Sequence, residues 1–119
     1  MVRPANFSPF YGSNLGGDVV LIAETAARFS VVSKTTTYTA KAKELVLCDT
    51  SGGGFTVTLP SAVPLPGASI VIKKTSADGN TLTVATTSSQ TIDGLTTQAW
   101  TTQHDALQVT SDGANWRVT

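Results

Sequence analysis

A chain of 119 residues has room for one compact unit and an arm, and none for a second core. Apolar residues make up 40% and charged residues only 13%, with a formal net charge of zero, so the surface is dressed with Thr, Ser, Asn, Gln and Gly and offers little repulsion to a second copy. Beyond the neighbours Lys73 and Lys74 no basic run exists to neutralise a row of phosphates, and no apolar run approaches the ~20 residues of a membrane span, so neither nucleic acid nor a membrane is expected as a partner.

Residues 1 to 17 place Pro4, Pro9, Gly12, Gly16 and Gly17 among Phe7, Phe10 and Tyr11, a mixture that breaks helices and strands while presenting aromatic groups. An extended arm follows from it. Residues 18 to 119 then read as a single β domain. Val19-Val20-Leu21-Ile22 favours a strand, whereas Ala23 to Arg28 could form a helical turn; the reading taken is a strand, a turn and a second strand at Phe29 to Val32.

From Thr35 the pattern is plainer, with Thr and Val dominant and turn residues recurring every ten or so positions, the signature of a β-sandwich or barrel. Strands are predicted at Thr36 to Thr39 and Glu44 to Asp49, followed by a Gly52-Gly53-Gly54 loop able to take positive φ. Phe55, Val57 and Leu59 alternate with Thr56 and Thr58, as a strand with one buried face requires, and Pro60 ends the run. Pro64, Pro66 and Gly67 make a rigid connection to a strand at Ala68 to Thr75, whose centre Ile70-Val71-Ile72 is apolar on both faces. Asp78-Gly79-Asn80 reads as a hairpin turn into a strand carrying Leu82 and Val84. A corner at Ile92-Asp93-Gly94, strands at Thr96 to Thr101 and Asp105 to Thr110, a turn at Ser111 to Asn115 and a last strand at Trp116 to Thr119 complete the chain.

Several of these runs together resemble a β-module of phage virions, found in capsid decoration (cement) proteins, head fibres and tail fibres. They are Phe55-Thr56-Val57-Thr58-Leu59-Pro60, the Pro66-Gly67 before a strand ending Ile72-Lys73-Lys74, the Thr91-Ile92-Asp93-Gly94 corner, and the closing Val109 to Trp116. The resemblance covers residues 36 to 119. It implies a β-sandwich or jelly-roll-like domain and a homotrimer. The chain carries no heptads, collagen-like triplets or shaft repeat, so a short protein that grips a shell is favoured over a long fibre.

Chemistry is sparse. His104 and Asp105 could pair as a base and its orienting carboxylate, but no Gly-x-Ser-x-Gly elbow accompanies them and neighbours in a strand point to opposite faces. One His and one Cys make a metal site improbable on numbers, no cofactor is expected, and Asp49, Asp78, Asp93, Asp105 and Asp112 sit singly in turns, where Asp usually bonds its own backbone. Glu24 and Glu44 are the only glutamates and form no facing carboxylate pair for a glycosidase. Cys48, within Leu45-Val46-Leu47-Cys48, reads as a small buried hydrophobe, and Trp116 as core. Trp100, among Thr and Gln, is the candidate for a ligand-stacking platform.

The expectation is a non-enzymatic capsid decoration or cement protein, or a short head fibre. Its aromatics Phe7, Phe10 and Tyr11 would bind the major capsid protein or another virion protein. The opening residues lack the apolar stretch of a secretory signal, so synthesis in the host cytoplasm followed by uptake onto the capsid surface is expected. The rival is a receptor- or carbohydrate-binding tip of a tail fibre, which needs an exposed aromatic such as Trp100.

Overall fold

The structure, a computed structural model, describes residues 28–119. The arm expected at 1–17, with Phe7, Phe10 and Tyr11, and the strand expected at Val19 to Ile22 lie outside the described residues. Nine strands follow in order: β1 (Ser30–Lys34), β2 (Tyr38–Thr39), β3 (Glu44–Cys48), β4 (Phe55–Thr58), β5 (Ser69–Lys74), β6 (Leu82–Ala85), β7 (Thr97–Trp100), β8 (Ala106–Ser111) and β9 (Trp116–Val118). The domain is all-β, in two sheets of order β1-β3-β5-β8-β9 and β2-β4-β6-β7, an arrangement compatible with a β-sandwich.

From β1 to β6 the chain changes sheet at every step, so it winds three times and lays each strand parallel to the one from the previous winding. β7, β8 and β9 then pair antiparallel and finish the far side. A jelly-roll is built from antiparallel strands, whereas four of the seven pairings here are parallel. The Asp78-Gly79-Asn80 turn is likewise not a hairpin: β5 and β6, on either side of it, belong to different sheets, and the turn carries the chain across the core. Local turn chemistry permits a hairpin, but it cannot tell the chain which strand to meet next.

In-register winding stacks like positions. Val32, Val46 and Ile72 form an inward row that Leu107 extends, and opposite them Tyr38, Val57 and Val84 form another. Beside that row lie Phe55, Leu82 and Trp100. The alternation read in Phe55 to Leu59 holds, with Val57 and Leu59 fully buried. Ile70 and Ile72 are also fully buried, while Val71 between them faces outward and is half-buried. Each fully buried aliphatic side chain contributes about 1.5–3 kcal/mol, so these rows outweigh a surface pair such as Arg117–Asp112, worth roughly 0–1 kcal/mol.

Trp116 closes the far end. It is fully buried, and its indole Nε1 donates to the Pro60 carbonyl at 3.1 Å, tying the proline-rich connection to the last strand. Ser111 Oγ donates to the Ala62 carbonyl at 2.6 Å and Gln90 Oε1 accepts from the Ala62 N–H at 2.9 Å, so that connection is fastened at Pro60 and Ala62, and again where Gln90 Nε2 reaches Ser61 Oγ and Gly67 N–H the Ser111 carbonyl. The outer edge of β9 is covered as well. Trp116 N–H donates to the Thr91 carbonyl at 2.8 Å, Asp93 N–H donates to the Trp116 carbonyl at 3.1 Å, and Val118 N–H reaches Asp93 Oδ1 at 3.3 Å.

Candidate functional site

At the opposite end of the winding, β1 is the edge of the larger sheet among the described residues. β1 is bonded to β3 on one side, with Ser30 N–H on the Lys43 carbonyl at 2.8 Å and the Lys34 carbonyl accepting from Asp49 N–H at 3.0 Å. Strand alternation turns the backbone N–H and C=O groups of Val31 and Ser33 the other way, where no strand lies beside them among the described residues. Val31 is 61% exposed and heads an outward row with Leu45 and Val71 across the face of the larger sheet. Natural sheets protect edges with Pro, bulges, inward charges or a covering loop. Among the described residues no Pro, bulge or covering loop protects β1, and its one charge, Lys34, lies on the inward side with Val32.

The open winding is nevertheless firmly built. Lys34 Nζ stands 4.3 Å above the Tyr38 ring, and the Tyr38 hydroxyl donates to the Glu44 carboxylate, 2.9 Å from both oxygens. Glu44 is buried and also accepts the Lys41 N–H at 2.8 Å. Loss of solvent and the adjoining carboxylate push the Tyr38 phenol above its ordinary pKa.

A second group of side chains gathers where β7 passes into β8. Trp100 is half-buried on β7, the edge strand of the smaller sheet, beside Leu82. Its Nε1 donates to the Asp105 carbonyl at 3.1 Å. The loop that follows is pinned along its length. His104 N–H donates to the Lys74 carbonyl at 2.7 Å, Lys74 N–H to the Asp105 carbonyl at 3.1 Å, Asp105 N–H to Thr102 at 3.3 Å, and Gln103 Nε2 to the Thr75 carbonyl at 3.2 Å. His104 takes a left-handed φ of 70° to let the backbone fold back this way. His104, expected to face solvent in a turn, does so, and Asp105, where the next strand was expected to begin, lies in the same exposed loop one residue ahead of β8.

Beneath this loop is a buried ammonium that sequence reading missed. Lys74 is fully buried, and Nζ donates to the carbonyls of Ser76 and Asp78, both at 2.8 Å, with Asp78 Oδ1 at 3.4 Å. Thr50 Oγ1 donates to Asp78 Oδ1 at 2.7 Å, Asn80 N–H to the same oxygen at 3.0 Å, and Asn80 Nδ2 to the Thr50 carbonyl at 2.8 Å. The nearby Ser76 and Thr50 hydroxyls, followed by the Asn80 N–H, hold the Asp78 carboxyl well below the usual carboxylate range. Its other oxygen, Oδ2, is shielded from solvent and meets no donor in good geometry. The signal for a buried lysine was present in the strict alternation Ile70, Ile72, Lys74, but a Lys at a strand end is ordinarily taken as solvated.

Cys48 is fully buried and burial pushes its thiol up to about 12. No three His, Cys, Asp or Glu side chains among the described residues come together in a way that could hold a metal ion. No protein-family model matches the chain, and no curated protein matches it either.

Proposed function

We propose that the protein is a non-enzymatic structural component of a phage particle that assembles with copies of itself, as a homotrimer, on the capsid surface. It acts as a decoration or cement protein or a short head fibre. Residues 1 to 17 fasten each subunit through Phe7, Phe10 and Tyr11 to the major capsid protein or another virion protein. Binding only to the assembled shell stabilises it by mass action, as any ligand of one state does.

The single observation that supports self-assembly is the open β1 edge. Its exposed Val31 and the outward row Val31–Leu45–Val71 offer a neighbour apolar area and backbone groups that pair with no strand among the described residues. The neutral, charge-poor composition removes the repulsion that would oppose such a contact.

Light scattering behind a sizing column, at low and high protein concentration, tests the reading. The expected result is a trimer, shifted toward monomer by Val31→Lys, with the two proteins sharing one unfolding midpoint at concentrations where both are monomeric. A wild-type monomer at every concentration rejects self-assembly. Removal of residues 1–15 is expected to leave a folded oligomer that no longer decorates particles, and full occupancy by the truncated protein rejects the role of the arm.

A further inference from the structure

Five aspartates lie among the described residues, and four have their carboxylates engaged by the fold. Asp49 accepts Ser51 N–H, Asp78 accepts the Thr50 hydroxyl and Asn80 N–H, Asp93 accepts Val118 N–H, and Asp112 accepts Ala114 and Asn115 N–H with Arg117 beside it. Asp105 departs from that rule. Its backbone N–H and C=O are both used to hold the loop, yet its carboxylate is exposed and bonds nothing in the described fold. The His104 imidazole beside it is exposed and equally free of partners, and Gln103 uses its amide NH₂ on Thr75 but keeps its carbonyl oxygen.

These groups stand on a rigid base. The five hydrogen bonds from Trp100, Gln103, His104 and Asp105 into one another and into Lys74 and Thr75 fix the loop on the end of β5. The non-glycine left-handed conformation at His104 costs about 1–3 kcal/mol, and it persists because the neighbours on either side are held. A loop stiffened by its backbone while its side chains stay unspent is preorganised for a ligand.

Trp100 supplies the apolar part. The indole packs against the core beside Leu82 and its only N–H is already satisfied, while the residue stays partly exposed. A partly exposed aromatic bonded to the Asp105 backbone, in a loop that also carries a carboxylate, an imidazole, an amide oxygen and the Thr101 and Thr102 hydroxyls, matches a molecule with one apolar ring face and a rim of hydroxyl groups. The loop carries no Lys or Arg, so it provides no fixed cation for a phosphate or a uronic acid. The geometry points to a binding site for an uncharged saccharide on the loop from Trp100 to Asp105, the ring stacking on Trp100 and its hydroxyls bonding to Asp105, His104 and Gln103. This is a recognition function separate from shell assembly.

The full chain, probed on an array of neutral oligosaccharides and then titrated with the best of them by intrinsic fluorescence, tests the assignment. Trp116 is fully buried, so the change is expected from Trp100. Saturable binding is expected, with a dissociation constant in the millimolar range or below. Asp105→Ala removes a side chain that holds nothing in the fold, and should weaken binding by about tenfold or more, ~1.4 kcal/mol, while leaving the unfolding midpoint and native mass unchanged. Trp100→Phe should weaken binding and remove most of the fluorescence change. No saturable binding to any neutral oligosaccharide at millimolar concentration overturns the site, as does binding that survives Asp105→Ala intact. Native mass is read on the same samples, so a failure of self-assembly is seen separately.

Discussion

Lys74 Nζ lies 3.4 Å from Asp78 Oδ1 while being fully buried, and its closer partners are two backbone carbonyls in the turn that Asp78 itself shapes. The ammonium therefore organises the crossing from β5 to β6, with Asp78 balancing its charge. Breaking a buried pair from the carboxylate side leaves an uncompensated cation, which is costlier than removing the cation. Lys74→Met is expected to destabilise by about 1–3 kcal/mol through the carbonyls left without a donor, and Asp78→Ala by more. Urea unfolding of both variants decides it, and the reverse order rejects this account of the turn.

Tyr38 and Glu44 hold the open winding together. Tyr38→Phe keeps the ring under Lys34 but withdraws the hydroxyl from a buried carboxylate, and is expected to cost about 1–3 kcal/mol. Hydrogen exchange should show the loss concentrated in β1 and β2; a uniform loss across both sheets argues against a separately held end winding.

Asp112 sets part of the acid response. The Asn115 and Ala114 N–H groups, then the Arg117 guanidinium, lower its carboxyl to about 2. Because the folded pKa lies below the unfolded one, its contribution is complete above pH ~4 and is lost as pH falls from ~4 through about 2. The urea midpoint should decline over that window and decline less in Asp112→Asn. Equal declines in the two proteins would remove Asp112 from the explanation.

Burial makes Cys48 inert. With its thiol pushed up to about 12, a disulfide reagent at pH 8 should react with it far more slowly than with the urea-unfolded chain. Cys48→Ser, which puts a hydroxyl into the same apolar place, is expected to cost about 1–3 kcal/mol. Fast labelling of the native protein would contradict the burial.

Gly54 is needed for space. A Cβ there would stand 2.5 Å from the Thr81 carbonyl oxygen, backbone against backbone, where the loop before β4 passes the start of β6. Gly54→Ala is expected to lose about 1–3 kcal/mol, while Gly52→Ala, which meets nothing, should stay within about 0.5 kcal/mol of wild type. Equal midpoints for the two variants would show that the loop moves freely.

The residues by themselves determined the strands and their inward faces. Val57 and Leu59 against Thr56 and Thr58, the buried Cys48 and Trp116, and the corner at Ile92 to Gly94 all follow from period-two alternation and turn chemistry, which are local properties of the chain. Partner choice between strands was decided only in three dimensions. Asp78-Gly79-Asn80 has the composition of a hairpin, but the buried Lys74 and the Thr50 and Asn80 contacts turn the chain into the other sheet instead. The same holds for the candidate sites. Trp100 was legible as an aromatic in a polar run but its burial was not, and the β1 edge at Val31 and the unspent carboxylate of Asp105 likewise depend on what stands beside them among the described residues, which only the folded arrangement of the strands and turns decides.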